Sequence, residues 1–202
     1  MLRKLAGRIF QYPAEEIVIV SGLPRSGTSM MMKMLEAAGI PPLTDHERTP
    51  DVDNPKGYYE FERVKKLKDG DTDWLPQARG KAVKVISALL PHLPGDYEYR
   101  VIFMRREMAE ILASQRKMQV HRSTDIDTVT DEELARLYEK HLAITYSWLD
   151  AQPNIRWVDL SYNALLREPI TQLNALRPLL GDRLPVRRMA EIVDPTLHRQ
   201  KA

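Results

Sequence analysis

Ile17-Val18-Ile19-Val20-Ser21-Gly22-Leu23-Pro24-Arg25-Ser26-Gly27-Thr28-Ser29-Met30 is an apolar, β-branched run that breaks into a glycine-bracketed turn and then opens a helix. This order, strand then turn then helix, builds a phosphate cradle. The two glycines let the backbone fold back so that successive N–H groups point inward, and the helix that follows adds its positive end. The spacing from Gly22 to Gly27 and on to Ser29 fits the phosphate-loop pattern G-x-x-x-x-G-K-[ST] at every point except the lysine, where Thr28 stands. In a nucleoside triphosphatase that lysine neutralises the β and γ phosphates, so this loop is poorly built for NTP chemistry. The loop carries its cation three residues earlier, at Arg25.

Pro24-Arg25-Ser26-Gly27-Thr28-Ser29 resembles the 5′-phosphosulfate loop of sulfotransferases, P-[KR]-S-G-T-[TS]. That family takes its sulfuryl group from 3′-phosphoadenosine 5′-phosphosulfate (PAPS) and releases adenosine 3′,5′-bisphosphate (PAP). The resemblance implies that Pro24, Arg25, Ser26, Gly27, Thr28 and Ser29 hold the 5′ end of the donor, with Arg25 also stabilising charge during transfer.

The resemblance continues downstream. Tyr99 to Met104 is a second short apolar strand, ending in Arg105-Arg106 and running into a helix that carries Ser114. A guanidinium at a strand's carboxyl end and a hydroxyl two helical turns on can converge on one phosphate. Arg106 and Ser114 keep the spacing of the sulfotransferase 3′-phosphate motif, which implies that they bind the donor's 3′-phosphate. Glu107 and Met108 depart from the asparagine or aspartate and the proline usual in the family. Taken alone, Arg105-Arg106 also reads as a surface pair at a strand end.

Between these segments, Lys81 to Pro91 is similar to the K-T-H-L-P strand end of cytosolic sulfotransferases, with Lys84 in the lysine's place. The resemblance implies that Lys84 contacts the transferring group. The family's proton-abstracting histidine two residues later is replaced by Ile86, so the base must come from elsewhere. Residues 41–80 are rich in Pro, Asp, Gly and charge, the kind of irregular segment in which function concentrates. Within it, Asp53 to Glu60 resembles the N-P-x-G-[FY]-x-E element of some bacterial sulfotransferase-like proteins. Glu60 is the preferred base, heading a helix that runs to about Lys68; as plain structure it is an acid favoured by that helix's dipole. Asp45 and His46 compete for the role, since related enzymes such as tyrosylprotein sulfotransferases place a catalytic glutamate about there.

Two later segments are similar to architectural parts of the family: Ile155 to Tyr162, followed by Leu165, Leu166, Glu168 and Pro169, to "Y-E-D-L-x-x-D-P", and Leu179-Leu180-Gly181 to "F-L-G". Asp159 at a strand end is open to a second reading, a magnesium-binding acid of an NTPase, which the missing loop lysine disfavours. The expectation is therefore an α/β fold, a three-layer parallel sheet with phosphate-loop nucleotide-binding architecture, sulfotransferase-like from Ile17 to Gly181. The expected activity is sulfuryl transfer from PAPS to a hydroxyl or amine. The alternatives are a nucleotide-dependent phosphotransferase or NTPase and a nucleotide-binding module that has lost catalysis.

Composition narrows the partners. The chain has 202 residues, 43% of them hydrophobic, enough for a single domain with one core over 1–202. Thirty basic residues against 28 acidic ones, without a block of like charge, give no nucleic-acid or polybasic membrane signature. Without cysteine there are no disulfides, thiolate metal sites or cysteine nucleophiles, and His46, His92, His121, His141 and His198 lack close ligand spacing, so no metal is expected. No span approaches the eighteen or so apolar residues of a membrane helix, and the N-terminus lacks a secretory core, so a soluble cytoplasmic protein is expected. Met1 to Pro13, free of acids and bearing Arg3, Lys4 and Arg8, reads as an ordinary leading helix, with a short targeting helix as the alternative. The acceptor, whether small molecule, glycan or protein, and the oligomeric state are not written in the sequence.

Strand-like runs at 15–21, 81–87, 99–104 and 155–159, with a short fifth at 40–44, alternate with helical patterns, the signature of a parallel sheet with crossover helices. A helix from Thr28 to Ala38 stops at Gly39-Ile40-Pro41-Pro42, with Met30, Met31, Met34 and Leu35 as core filling. The longest helix starts at Thr130 with Glu133 completing a capping box and runs to about Asp150; Leu134, Leu137, His141, Ile144 and Trp148 form its stripe, where His141 reads as a hydrogen-bonded core histidine.

Overall fold

A computed structural model describes residues 12–45, 47, 58–121 and 129–193, with the backbone alone for 118–121. Four parallel strands, β1 (Ile17–Gly22), β2 (Ala82–Lys84), β3 (Tyr99–Arg105) and β4 (Ile155–Ser161), form one sheet in the order β2-β1-β3-β4. Val18 lies opposite Ala82 on one side and Arg100 on the other, and Val101 opposite Trp157. The helices are α1 (Thr28–Ala37), α2 (Leu75–Ala78), α3 (Met108–His121), α4 (Asp131–Ala151), α5 (Tyr162–Arg167), α6 (Pro169–Asn174), α7 (Arg177–Leu180) and α8 (Val186–Ala190). Two 3₁₀ helices, Glu62–Asp69 and Ser87–His92, complete the described chain.

The unbroken apolar character of β1 follows from burial on both faces, as parallel sheets require. Val18 and Val20 pack with Met31, Met34 and Leu35 of α1 and with Leu165, Leu173 and Leu180 of the C-terminal helices. Ile17 and Ile19 pack on the opposite face with Trp74, Leu75, Val101, Phe103 and Leu149. The three-layer expectation holds, and the sheet's carboxyl edge, where phosphate-loop folds bind ligands, gathers the ends of β1, β2 and β3.

Several boundaries differ from the sequence reading for identifiable reasons. The fifth strand at 40–44 shrinks to one parallel bridge between Pro42 and Ala82. Leu43 N donates to Ala82 O (2.8 Å) and Ala82 N to Pro41 O (2.9 Å), but two successive prolines have no N–H with which to extend the ladder. The run 81–87 contributes three strand residues and then turns into the 3₁₀ helix at Ser87. The helix expected from Glu60 starts two residues later as a 3₁₀ helix, with Phe61 rather than Glu60 at its N-cap. Helix α1 ends as expected, with Gly39 in the left-handed region (φ 91°). Helix α4 has the full capping box, Glu133 N donating to Thr130 Oγ1 (3.2 Å) and Thr130 N to Glu133 Oε2 (3.0 Å). Its buried face is not the expected stripe: Leu137 and Ile144 are 59% and 60% exposed, while Thr145 and Leu149 are buried. The stretch 1–11 of the proposed leading helix, together with His46 and residues 53–57, lies outside the described residues.

Candidate active site at the carboxyl edge of the sheet

The loop between β1 and α1 has the geometry its glycines imply. Gly22 sits at φ 144°, and a Cβ there would lie 2.4 Å from the Met104 carbonyl oxygen of the neighbouring strand. Gly27 sits at φ 95°, and a Cβ would lie 2.4 Å from the Tyr162 ring. Between them Arg25 takes a left-handed conformation (φ 71°), which costs a side-chain-bearing residue about 1–2 kcal/mol. Two contacts, from the residue after β3 and from α3, hold it there. Arg25 Nε donates to Ser114 Oγ (2.8 Å), and Arg106 Nη1 donates to the Arg25 carbonyl oxygen (3.1 Å).

An anion fits this cradle. Gly27 caps α1 without a side-chain hydrogen bond, and the helix's first turn carries no acid, so its positive end has no carboxylate of its own. Ser26 Oγ is buried with no hydrogen-bond partner among the described residues, a donor lacking its acceptor. Thr28 and Ser29 open the helix beside it, and Pro24 forms part of the turn.

Lys84, at the end of β2, reaches across to the start of α1. Its Nζ donates to the carbonyl oxygen of Tyr58, lies 3.5 Å from Ser29 Oγ and 3.5 Å from Glu60 Oε1, and sits 5.8 Å from the centre of the Tyr58 ring. Ser29 Oγ also donates to the Tyr58 carbonyl (3.2 Å). The turn that delivers Glu60 bends at Tyr59 (φ 52°), whose hydroxyl donates to Glu36 Oε2 of α1 (2.6 Å). The Glu60 carbonyl accepts from Thr44 Oγ1 (2.7 Å) and Asp45 N (3.4 Å), fixing the segment against residues 44–45. Asp45 is occupied otherwise: Oδ2 accepts from Glu62 N (2.6 Å) and Oδ1 from Glu47 N (3.1 Å), so its carboxylate holds the start of the 3₁₀ helix.

On the other side of the loop, the two arginines at the end of β3 diverge. Arg105 points outward, half exposed, and pairs with Asp159 of β4 (2.9 Å), which gives that acid a partner other than a metal. Arg106 turns inward. Its Nε donates to Glu110 Oε2 (2.6 Å), and its guanidinium lies 4.5 Å from the centre of the Tyr162 ring, a cation–π contact. Asn163 Nδ2 donates to Glu110 Oε1 (2.8 Å), while Glu107 N donates to Asn163 Oδ1 (3.3 Å). Burial pushes the Tyr162 phenol above its ordinary pKa and keeps it neutral. Arg106 Nη2 is left without a hydrogen bond among the described residues, and Ser114, accepting from Arg25, keeps its own O–H to donate. Arg25, Arg106 and Ser114 thus meet at one end of the loop, and Lys84, Ser29 and Glu60 at the other.

The sequence reading missed Tyr58, Glu110, Tyr162 and Asn163. Glu110 carried a signal, an acid four residues from Arg106 at helical spacing. Asn163 and Tyr162 arrive from the start of α5, more than fifty residues on, and had none. His141, half-buried, meets Ser87 Oγ at 2.8 Å from Nε2, as a hydrogen-bonded core histidine should. Among the described residues no group of three His, Cys, Asp or Glu could hold a metal ion, and no helix is long and apolar enough to cross a membrane.

No protein-family model matches the chain, and comparison with curated proteins finds no match. Solved structures do match. The sulfotransferase domain of the Synechococcus PCC 7002 olefin synthase superposes with a TM-score of 0.52 at 14% identity, over 96% of this chain and 85% of that one. The chain has the sulfotransferase fold. Retinol dehydratase, in complex with androsterone and the inactive cofactor PAP, superposes with a TM-score of 0.53 at 16% identity, over 92% of this chain and 65% of its own length. The sulfotransferase STF9 from Mycobacterium avium gives a TM-score of 0.53 at 13% identity, over 94% and 70%. At these identities the likeness speaks for the fold, and the chemistry must rest on the residues of this chain.

Proposed function

We propose that the protein transfers a sulfuryl group from PAPS to a hydroxyl or amine acceptor. The observation that carries this reading is the pairing of Lys84 with Glu60 beside Ser29, a cation and a carboxylate 3.5 Å apart at the mouth of an anion cradle that lacks the NTPase lysine. PAP in the retinol dehydratase structure agrees with it, since PAP is what PAPS becomes on losing its sulfuryl group.

PAPS, when bound, supplies the sulfuryl group. The loop amides with Ser26, Thr28 and Ser29 hold its 5′ end, with Pro24 and Gly27 shaping the turn, and Arg106 Nη2 and the Ser114 hydroxyl hold the 3′-phosphate. Lys84 and Arg25 balance the negative charge that grows on the bridging oxygen, which is electrostatic stabilisation by preplaced cations. Glu60 accepts the proton of the acceptor's hydroxyl or amine. Holding donor and acceptor together supplies much of the remaining rate, and these residues need no metal for that work.

A thermal-shift comparison tests the reading. PAP should raise the melting temperature more than 5′-AMP or ATP with magnesium at equal concentration, because Arg106 and Ser114 engage only a 3′-phosphate. Equal shifts for PAP and AMP, or the largest shift for magnesium ATP, would contradict it.

A further inference from the structure

The polar cluster beneath Arg106 is more elaborate than a helix N-terminus needs. Glu110 is 4% exposed and Asn163 8%, and the Arg106 side chain is 9% exposed. Burying an arginine with a carboxylate is costly unless the pair is tightly matched and its other atoms are satisfied. Here the carboxylate is fully matched: one Glu110 oxygen receives Arg106 Nε at 2.6 Å, the other receives Asn163 Nδ2 at 2.8 Å, and Asn163 is itself fixed by Glu107 N. Tyr162, next to Asn163 in the chain, supplies the ring on which the guanidinium rests. The guanidinium is thus constrained at Nε, at one face and at Nη1, and this leaves Nη2 as its one hydrogen-bonding group without a fixed partner among the described residues.

We infer that Glu110, braced by Asn163, is a positioning residue that aims Arg106 Nη2 at the nucleotide's 3′-phosphate, so that 3′-phosphate selectivity is set from beneath the guanidinium. The inference rests on the PAPS reading above. Helix α3 then carries two supports four residues apart: Glu110 orients Arg106, and Ser114 orients Arg25. A glutamate can do this where a glutamine cannot, because both of its oxygens accept. In Glu110→Gln one of the two incoming donors, Arg106 Nε or Asn163 Nδ2, meets an NH₂ group. Asn163 cannot turn its amide over without losing the Glu107 N–H bond.

The test is calorimetric titration of PAP and of 5′-AMP into the wild type, Glu110→Gln and Asn163→Ala, with melting temperatures as a folding control. The expected result is that Glu110→Gln lowers PAP affinity by about 10-fold or more, the scale of a lost charge-assisted hydrogen bond, and leaves AMP affinity nearly unchanged. Asn163→Ala should move the same ratio in the same direction by less, and it decides the question if Glu110→Gln does not fold. An unchanged PAP-to-AMP ratio in a folded variant overturns the inference. So does an equal loss for both nucleotides, which would make the cluster a mere prop for the loop. A gain in PAP affinity also overturns it, since Glu110 would then only be neutralising Arg106. If the wild type itself shows no preference for PAP, the functional reading fails and takes the inference with it; if the wild type prefers PAP and the variants keep that preference undiminished, this inference alone fails.

Discussion

Two cation–carboxylate pairs flank the phosphate loop, and they are built differently. Arg106 and Glu110 lie 2.6 Å apart, both almost wholly buried, with the carboxylate also held by Asn163. Lys84, at the end of β2, and Glu60, on a turn within the irregular segment, lie 3.5 Å apart and are 10% and 18% exposed. A tight, braced pair suits a binding group that must be in place before the ligand arrives. A looser pair, whose carboxylate is more exposed than Glu110, suits groups that change partner or protonation during a reaction. Under the proposed function the contrast is a division of labour: the Arg106–Glu110 pair recognises the nucleotide, and the Lys84–Glu60 pair, helped by Arg25 from the loop between them, performs the transfer.

The sharpest way to break that division is at the reactive pair. Glu60→Gln keeps the shape of the side chain but removes the proton acceptor. With an acceptor that supports turnover, the rate of PAP release from PAPS should fall by about 100- to 10,000-fold while PAP binding persists. An active Glu60→Gln enzyme would move the base to Asp45 or His46, although the Asp45 carboxylate already holds two backbone amides. Next in size, Lys84→Ala and Arg25→Ala should each lower the same rate by about 100- to 1,000-fold, more than they weaken PAP binding. Near-normal turnover of Lys84→Ala would reduce Lys84 to an anchor for the Tyr58 carbonyl. On the binding side, Arg106→Ala should lower PAP affinity by about 10- to 150-fold and erase the advantage of PAP over AMP, the loss expected for a charge-assisted hydrogen bond of roughly 1.5–3 kcal/mol.

How far the sequence revealed these pairs depends on the distance over which each is assembled. The loop from Gly22 to Ser29 was legible because its geometry is local: two glycines, a missing lysine and a helix start within a few residues. Arg106 and Ser114 were legible because a strand end and a helix fix their spacing. Lys84 was found by the resemblance of its strand end to the K-T-H-L-P segment, and Glu60 by the irregular segment around it and its likeness to N-P-x-G-[FY]-x-E, but their meeting is tertiary and needs the left-handed turn at Tyr59. The bracing of Arg106 by Asn163 and Tyr162 depends on β3 and β4 being neighbours, which no short-range pattern states. Helix α4 shows the opposite failure. Its capping box was read correctly because it spans four residues, whereas its buried face was misjudged because Leu137 and Ile144 had to be assigned a side without knowing where the sheet lay.

The smallest expected effect lies away from both pairs. Burial holds the His141 imidazole below its ordinary pKa of about 6.5, so the folded protein keeps it neutral where the unfolded chain already binds a proton. Its contribution to stability is fully present above that ordinary value and is lost as pH falls through the lowered one. His141→Asn should therefore flatten part of the acid side of the stability curve between pH 7 and 5, measured by urea unfolding, and leave the PAP-to-AMP ratio untouched. A change in nucleotide selectivity would tie His141 to the site after all.

The division of labour itself is tested most directly by titrating PAP into Arg106→Ala and Glu60→Gln side by side, a measurement that needs no knowledge of the acceptor. The expected result is a loss of about 10- to 150-fold in Arg106→Ala and wild-type affinity in Glu60→Gln. Wild-type affinity in Arg106→Ala, or a comparable loss in Glu60→Gln, would contradict the account.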